Sequence, residues 1–448
     1  MGSRADAPMS LSTNSPATSG LNPEANPSLT EGVTSGMPVP PLLRGEGLPP
    51  FEEIGAEQVT AAIPQLLAEL NSRFEALESD LAERLATDAP LTWDVVMDPL
   101  QRLEERLRWS WGVVGHLNAV NNTPAWREAQ QSQQAEVVRF GNRTGQSRTL
   151  FQALGRLERQ HHAAAEGDPL RLDATQLRIL EAEQRAMTLR GVALEGEAQE
   201  AFNAASQELA ELSTRFSNNV LDATNGWSLL LSDPADVDGL PESLRTLLAQ
   251  AAREAGDHHS DGSEATAAQG PWRLGLDMPR YVPFLRYSRR RDLREQAYRA
   301  HVSRASQGAL DNTPLLERIL TLKHQQAQRL GFRHWADLSL SSKMADSVEA
   351  VEQLLEELRA AAFPIAQAEL DGLRQIAREE EGSDAADLMP WDVSVWADRL
   401  RQRDFDLDSE ALRPWFPLEQ VLEGLFGLCN RLFGCLLYTS PSPRDATL

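Results

Sequence analysis

The residue types that could carry out hydrolytic or metal chemistry are few in this chain and poorly spaced for it. Eight histidines occur among 448 residues. A hydrolytic metal site usually takes two of them from one helical face, as in H-E-x-x-H or H-x-x-E-H, with a carboxylate between to handle the proton. Neither pattern occurs anywhere. His161 and His162 are neighbours, as are His258 and His259, and adjacent side chains on a helix or strand point apart rather than converge. His116, His301, His324 and His334 stand alone. Each is read as a surface or satisfied core imidazole, and His258 and His259 are given adventitious metal binding at most. Nucleophile and phosphate motifs are absent as well: there is no G-x-S-x-G and no G-x-x-x-x-G-K-[ST]. Gly45 and Gly47 give a G-x-G, but Pro50 follows and no strand precedes, which excludes a dinucleotide loop. Cys429 and Cys435 sit six apart, on different faces of a helix and without C-x-x-C spacing, which suits a reducing compartment.

The densest charge lies in RYVPFLRYSRRRDLREQAYRAHVSRAS, where Arg286, Arg289, Arg290, Arg291 and Arg294 are interleaved with Tyr281, Tyr287 and Tyr298. Basic residues among aromatics can hold a phosphate backbone. Asp292 and Glu295 stand inside the run, however, and the chain has 66 acidic against 43 basic residues, a net charge of -23. The expectation is an ion-paired face, with nucleic acid and anionic membrane repelled. Lys323 and Lys343 are the only lysines, which is read as codon bias. The start, MGSRADAPMSLSTNSPATSG, has no apolar h-region, Asp6 breaks the myristoylation pattern, and no stretch reaches the roughly 18 apolar residues of a membrane helix. A cytoplasmic protein is expected.

The elements that would position any site are mostly helices. The hydrophobic share of 41% and charged share of 24% are those of a globular protein, and 448 residues suit two or three domains. Residues 1–38, rich in Ser, Thr, Pro, Asn and Gly, read as a disordered tail. Val59, Ile63, Leu66, Leu67 and Leu70 form a helical stripe, continued in style by Leu100, Leu103 and Leu107. Asp168 and Pro169 mark a turn. Leu209, Leu212, Phe216 and Val220 predict a helix that stops at Gly226. The period then becomes two, in Trp227, Leu229 and Leu231 and again in Trp272, Leu274, Leu276 and Met278, which predicts a small sheet or hairpin. A short helix near Pro241 to Ala252 and an exposed loop, GDHHSDGSEATAAQG, lie between. Leu315, Ile319, Leu322 and Gln326 predict another helix. Val351, Leu354, Leu355 and Leu358 begin one that Pro364 should kink or end. Leu418, Val421, Leu422, Leu425, Cys429 and Leu432 make a last stripe, followed by Ser-Pro-Ser-Pro.

Several segments together resemble the thimet oligopeptidase (M3) family of zinc metallopeptidases. They include LPPFEEIGAEQVTAAI, WGVVGHLNAVNNTPAWREA, ELSTRFSNNVLDATNGW, LDMPRYVPFLRYSRRRDLREQAYRAHVSRAS, LGFRHWADLSLSSKMADSVEAVEQLLEEL and WDVSVWADRLRQRDFDLDSEALRPWFPLEQVLEGLFGLCNRLFG, from about Leu42 to Gly434. Gln58 stands where the family usually has His. The resemblance implies a mainly α, two-lobed fold around a deep channel that admits short unfolded peptides, monomeric when intact. It also implies a zinc held by two His of an H-E-x-x-H helix and a later Glu, lowering the pKa of a bound water while the motif Glu acts as base.

In that reading, residues 39–225 form an N-terminal helical domain and residues 226–434 the first part of the catalytic domain. Residues 435–448 are a non-native tail, so the chain ends before the zinc-binding helices. No catalytic or metal-binding residue is therefore named, and the substrate-binding residues are unknown. The fragment as given is expected to bind no catalytic zinc, to cleave no peptide bond, and to leave its last apolar stripe partly uncovered. The contrasting reading is a non-catalytic helical binding or scaffold protein.

Overall fold

A computed structural model describes residues 39–45, 47–259, 261–382 and 387–434. The tail read at 1–38, the tail read at 435–448 and Cys435 lie outside the described residues. Fifteen α-helices and one two-stranded antiparallel sheet make up the regular structure of the described residues, so the fold is mainly α.

The chain opens with five helices: α1 (Ala56–Ala86), α2 (Trp93–Val120), α3 (Pro124–Gly145), α4 (Arg148–Ala163) and α5 (Ala174–Leu189). The α1 stripe is buried along its whole length, and Phe74, Leu77 and Leu81 continue it on the same face. Each such side chain contributes about 1.5–3 kcal/mol of gross burial, which is why a 31-residue helix tolerates Pro64 in its interior. Capping fixes where helices start. Asp173 accepts from the backbone N–H groups of Thr175 and Gln176 at 2.8 Å each, and the Gln176 side chain returns a bond at 2.9 Å, closing a capping box. The turn at Asp168–Pro169 separates α4 from α5 as its composition predicts. One core cluster runs through all five helices, from Leu42 to Val192.

Helix α6 (Gly196–Gly226) follows and packs on α3 and on α10 (Thr313–Arg329). It ends where the sequence predicts, and Trp227 leaves the helix into β1 (Ser228–Leu231). β1 pairs with β2 (Trp272–Gly275), Ser228 opposite Gly275 and Leu231 opposite Trp272. Helix α7 (Glu242–Glu254) covers the sheet. Met278 is not the end of the second strand: it opens α8 (Met278–Tyr287). The reason is Pro279, which has no N–H to give a ladder and whose fixed φ suits the first helical turn. Together with α9 (Arg291–Val302), these elements enclose a second core, from Leu231 to Ala297.

Beyond α10 come α11 (Trp335–Leu340), α12 (Val348–Glu381), α13 (Val393–Phe405), α14 (Ser409–Leu412) and α15 (Leu418–Phe433). Pro364 does not end α12, which runs 34 residues and passes through it. Losing one intrahelical bond is outweighed by the Ser347 cap and by Leu373, Ile376 and Ala377, which pack with Val395 and Trp396 of α13. The apolar stripes of α12 and α15 are present but uncovered. Leu354, Leu355 and Leu358 are exposed on α12, as are Leu418, Val421, Leu425 and Leu432 on α15, and no residue of α15 is buried.

Candidate functional site

Histidine chemistry can be assessed one ring at a time. His116 lies against the Phe51 ring, with centroids 5.2 Å apart. His161 and His162 do not point fully apart, because their rings meet edge-on at 5.1 Å in the last turn of α4, and His161 Nδ1 accepts the Leu172 N–H at 3.0 Å. His258 bridges to Glu264 by backbone pairing. His301 stacks flat on Tyr281 at 4.1 Å; burial, and secondarily the Arg304 charge, hold it below the ordinary imidazole range, so the ring is neutral at pH 7. His334 caps α11 by accepting the Asp337 N–H, and His324 is exposed on α10. Among the described residues no three His, Cys, Asp or Glu side chains converge as a metal needs. A zinc ion of the kind the resemblance implies therefore has no fitting donor set among them, and no step is derived through it.

The arginine run is ion-paired, as expected. Arg290 reaches Asp236 at 2.5 Å and Asp292 at 2.7 Å, Arg286 reaches Asp398 at 2.6 Å, and Arg289 reaches Asp238 at 3.5 Å. Arg291 and Arg294 converge on the buried Asp392, at 2.8 and 2.7 Å. Burial by itself would raise the Asp392 carboxyl, but bonds from Arg291, from Arg294 and from the Met389 N–H outweigh it and hold the group below the usual carboxylate range. Arg294 also donates to the carbonyls of Trp391 and Ser288, which leaves its guanidinium no free face.

The site that remains is a cleft of about 680 Å³ between α3 and α6. Thr123 caps α3 and Pro124 sits in its first turn, so the first exposed turn of α3 faces the cleft. Gln134 fastens the two helices, donating to the Ala210 carbonyl at 3.2 Å and to Thr214 Oγ1 at 3.0 Å. Asn312 anchors α6 from the other side through Asn219, at 2.8 Å, and the Phe216 carbonyl, at 3.1 Å. Arg127 grips Asp222 with two bonds, at 2.8 and 2.6 Å, and is itself fixed by Asn122. That grip, chiefly the hydrogen bonding, holds the Asp222 carboxyl below its ordinary range. Glu128 and Gln131 on α3 face Arg215 and Asn218 on α6 across the opening.

Chemically this lining can hydrogen-bond an extended backbone or a charged terminus. The Asp222 carboxylate is engaged by Arg127, and the Ser132 hydroxyl donates to the Ala129 carbonyl at 2.9 Å. No pattern along the chain points to this cleft, since Arg127 and Asp222 stand 95 positions apart.

Comparison with known proteins places these features. The family model for the neurolysin/thimet oligopeptidase N-terminal domain matches residues 63–199, and that for peptidase family M3 matches residues 284–444, past Gly434. The probable cytosolic oligopeptidase A of Arabidopsis thaliana is 38% identical over 394 residues, 88% of this chain and 53% of that protein. An organellar oligopeptidase A of the same plant is 37% identical, over 88% of this chain and 47% of its own length. Oligopeptidase A of Salmonella typhimurium is 34% identical over 399 residues, 88% and 55% of the two chains. The chain thus spans about half the length of these curated relatives. With the helical architecture, both family matches and the continuous similarity in agreement, the chain belongs to peptidase family M3, in its oligopeptidase A type.

Proposed function

We propose that this chain is the N-terminal lobe and the first part of the catalytic domain of a zinc endopeptidase that degrades short unfolded peptides in the cytosol. The observation that carries this is the unbroken similarity to oligopeptidase A relatives along 88% of the chain. The cleft between α3 and α6 supports it, because its amides, Arg215 and Glu128 are groups that bind peptide backbone and termini. The domains are taken as residues 39–225 and 226–434, the whole protein as a zinc-dependent monomer, and its partners as peptides rather than nucleic acid or membrane. Among the described residues no helix is long and apolar enough to cross a membrane. The 448 residues contain no H-E-x-x-H, so hydrolysis by this chain alone is not expected. Without that motif there is no bound water of lowered pKa and no paired general base.

Zinc analysis and a quenched-fluorescent peptide assay on the purified chain test this. Sub-stoichiometric zinc and no turnover are expected; stoichiometric zinc with turnover would overturn the claim of inactivity. Reading the genomic DNA past the Gly434 codon in every frame separates the peptidase from a helical scaffold, since a peptidase requires an H-E-x-x-H downstream.

A further inference from the structure

In the cleft between α3 and α6 the two unpaired charges are opposite in sign and stand at opposite ends. The helices run antiparallel there: Arg127 meets Asp222, and Gln134, further along α3, meets Thr214, earlier on α6. Glu128 lies beside the first contact and Arg215 beside the second. At a rise of about 1.5 Å per residue, ~8 Å of helix axis separates them. Both side chains are exposed, and neither makes a hydrogen bond or ion pair among the described residues. Other arginines that touch α6 are held, Arg127 by Asp222 and Arg318 by Glu208, each at 2.6 Å. Glu211, one turn from Arg215 on α6, takes the Gln207 side chain instead, at 3.1 Å.

Between the two charges the floor supplies a fixed acceptor. Asn312 gives its Nδ2 to the Phe216 carbonyl at 3.1 Å, so its Oδ1 is the atom that receives Asn219 Nδ2, at 2.8 Å. That bond sets the orientation of the Asn219 amide. Asn219 is only 8% exposed and lines the cleft, and its Oδ1 has no donor among the described residues. A carbonyl oxygen held in this way lacks an N–H. Gln131 and Asn218 add amides that are equally uncommitted.

From this order of anion, neutral acceptor and cation we propose that the cleft binds a short peptide with both ends free, its ammonium on Glu128, a peptide N–H on Asn219 and its carboxylate on Arg215. An extended chain advances about 3.3–3.6 Å per residue, so roughly two or three residues bridge the two charges. Peptides of that size with two free ends are what cleavage of longer ones yields, so the cleft holds product rather than substrate. The inference rests on the peptide-binding reading of the cleft and narrows it to one class of peptide.

The test is calorimetric titration of the whole chain, at low ionic strength, with trialanine, N-acetyl-trialanine, trialaninamide and a nine-residue peptide having the same end residues. Trialanine is expected to bind one to one, each singly blocked peptide about tenfold more weakly, and the nine-residue peptide no better than the blocked ones. Glu128→Gln is expected to weaken trialanine about tenfold while leaving N-acetyl-trialanine unchanged, and Arg215→Gln to do the same with trialaninamide as the unaffected ligand. Both side chains are exposed, so an unchanged circular dichroism spectrum is expected of each variant. Absence of trialanine binding, equal affinity for free and blocked peptides, or a variant that weakens free and blocked peptides alike would overturn the proposal. Blocked and nine-residue peptides that bind as tightly as trialanine, and are lost in Arg215→Gln, would overturn it while leaving the cleft a peptide site. The peptidase reading fails separately, on the absence of a downstream H-E-x-x-H.

Discussion

At the scale of single residues, the most informative group is Glu104 on α2. Burial raises its carboxyl above the ordinary range, and the nearby Glu183 raises it further, against the smaller lowering effects of Arg190 and Arg108. An acid whose folded pKa is raised binds more protons folded than unfolded, so it weakens the fold once the pH rises above its unfolded value. Glu104→Gln removes that penalty. The variant is expected to gain stability at pH 7, with the gain shrinking to nothing as the pH falls below the ordinary glutamate range. Urea midpoints at pH 7 and pH 4 check this, and an equal gain at both would show that ionisation is not the cause. None of it could be read from the sequence, because Glu104 and Glu183 belong to different helices and meet only by packing. His301 teaches the same lesson. Its isolation was legible, but the Tyr281 ring stacked on it, twenty positions earlier, and the burial that lowers its pKa come only from the fold.

At the scale of elements, α9 is joined to the α12–α13 region through one buried carboxylate. Asp392 receives Arg291, Arg294 and the Met389 N–H, and its side chain is 2% exposed. Removing it leaves the Arg294 guanidinium, also nearly buried, without its counter-charge. Breaking a buried pair from one side costs about 3–5 kcal/mol. Asp392→Ala is therefore expected to lose hydrogen-exchange protection selectively in α9 and α13 while α1–α5 keep theirs. Because the folded carboxyl is held low, its contribution is present above the usual aspartate range and is lost as the pH falls through the folded value. The same helices should accordingly lose protection first on acidification, and the Ala variant should show no such acid limb. Apolar stripes announced α1, α2, α6, α10, α12 and α15, since local periodicity is a property of neighbouring positions. Pro364 and Met278 mislead for a related reason: local rules weigh one residue, and the fold weighs what the rest of the segment packs against.

At the scale of the whole molecule, the described residues bury three separate clusters and leave apolar faces on α12 and α15 open to water. Trp415, Leu418, Leu432 and Phe433 are among the exposed large side chains, each more than 60% accessible. Exposed apolar surface on this scale favours association. The chain is expected to bind a hydrophobic dye and to elute as oligomers or aggregates in gel filtration. Leu425→Asp combined with Leu432→Glu should reduce both without lowering helical content, because neither side chain supports a core. A chain that stays monomeric and dye-free at tens of micromolar would contradict the exposure seen here.

The residues alone settled that these 448 positions are mainly helical, acidic and contain no H-E-x-x-H, and their order along the chain was enough to show its family resemblance. Those properties are local or additive: period, composition and motif spacing are the same whether or not the chain has folded. Which arginines are paired, which stripes find cover, and where α3 and α6 part to form a cleft were decided only in three dimensions. Each depends on groups tens to more than a hundred positions apart being brought within hydrogen-bonding or van der Waals distance, and no one-dimensional pattern encodes such a meeting.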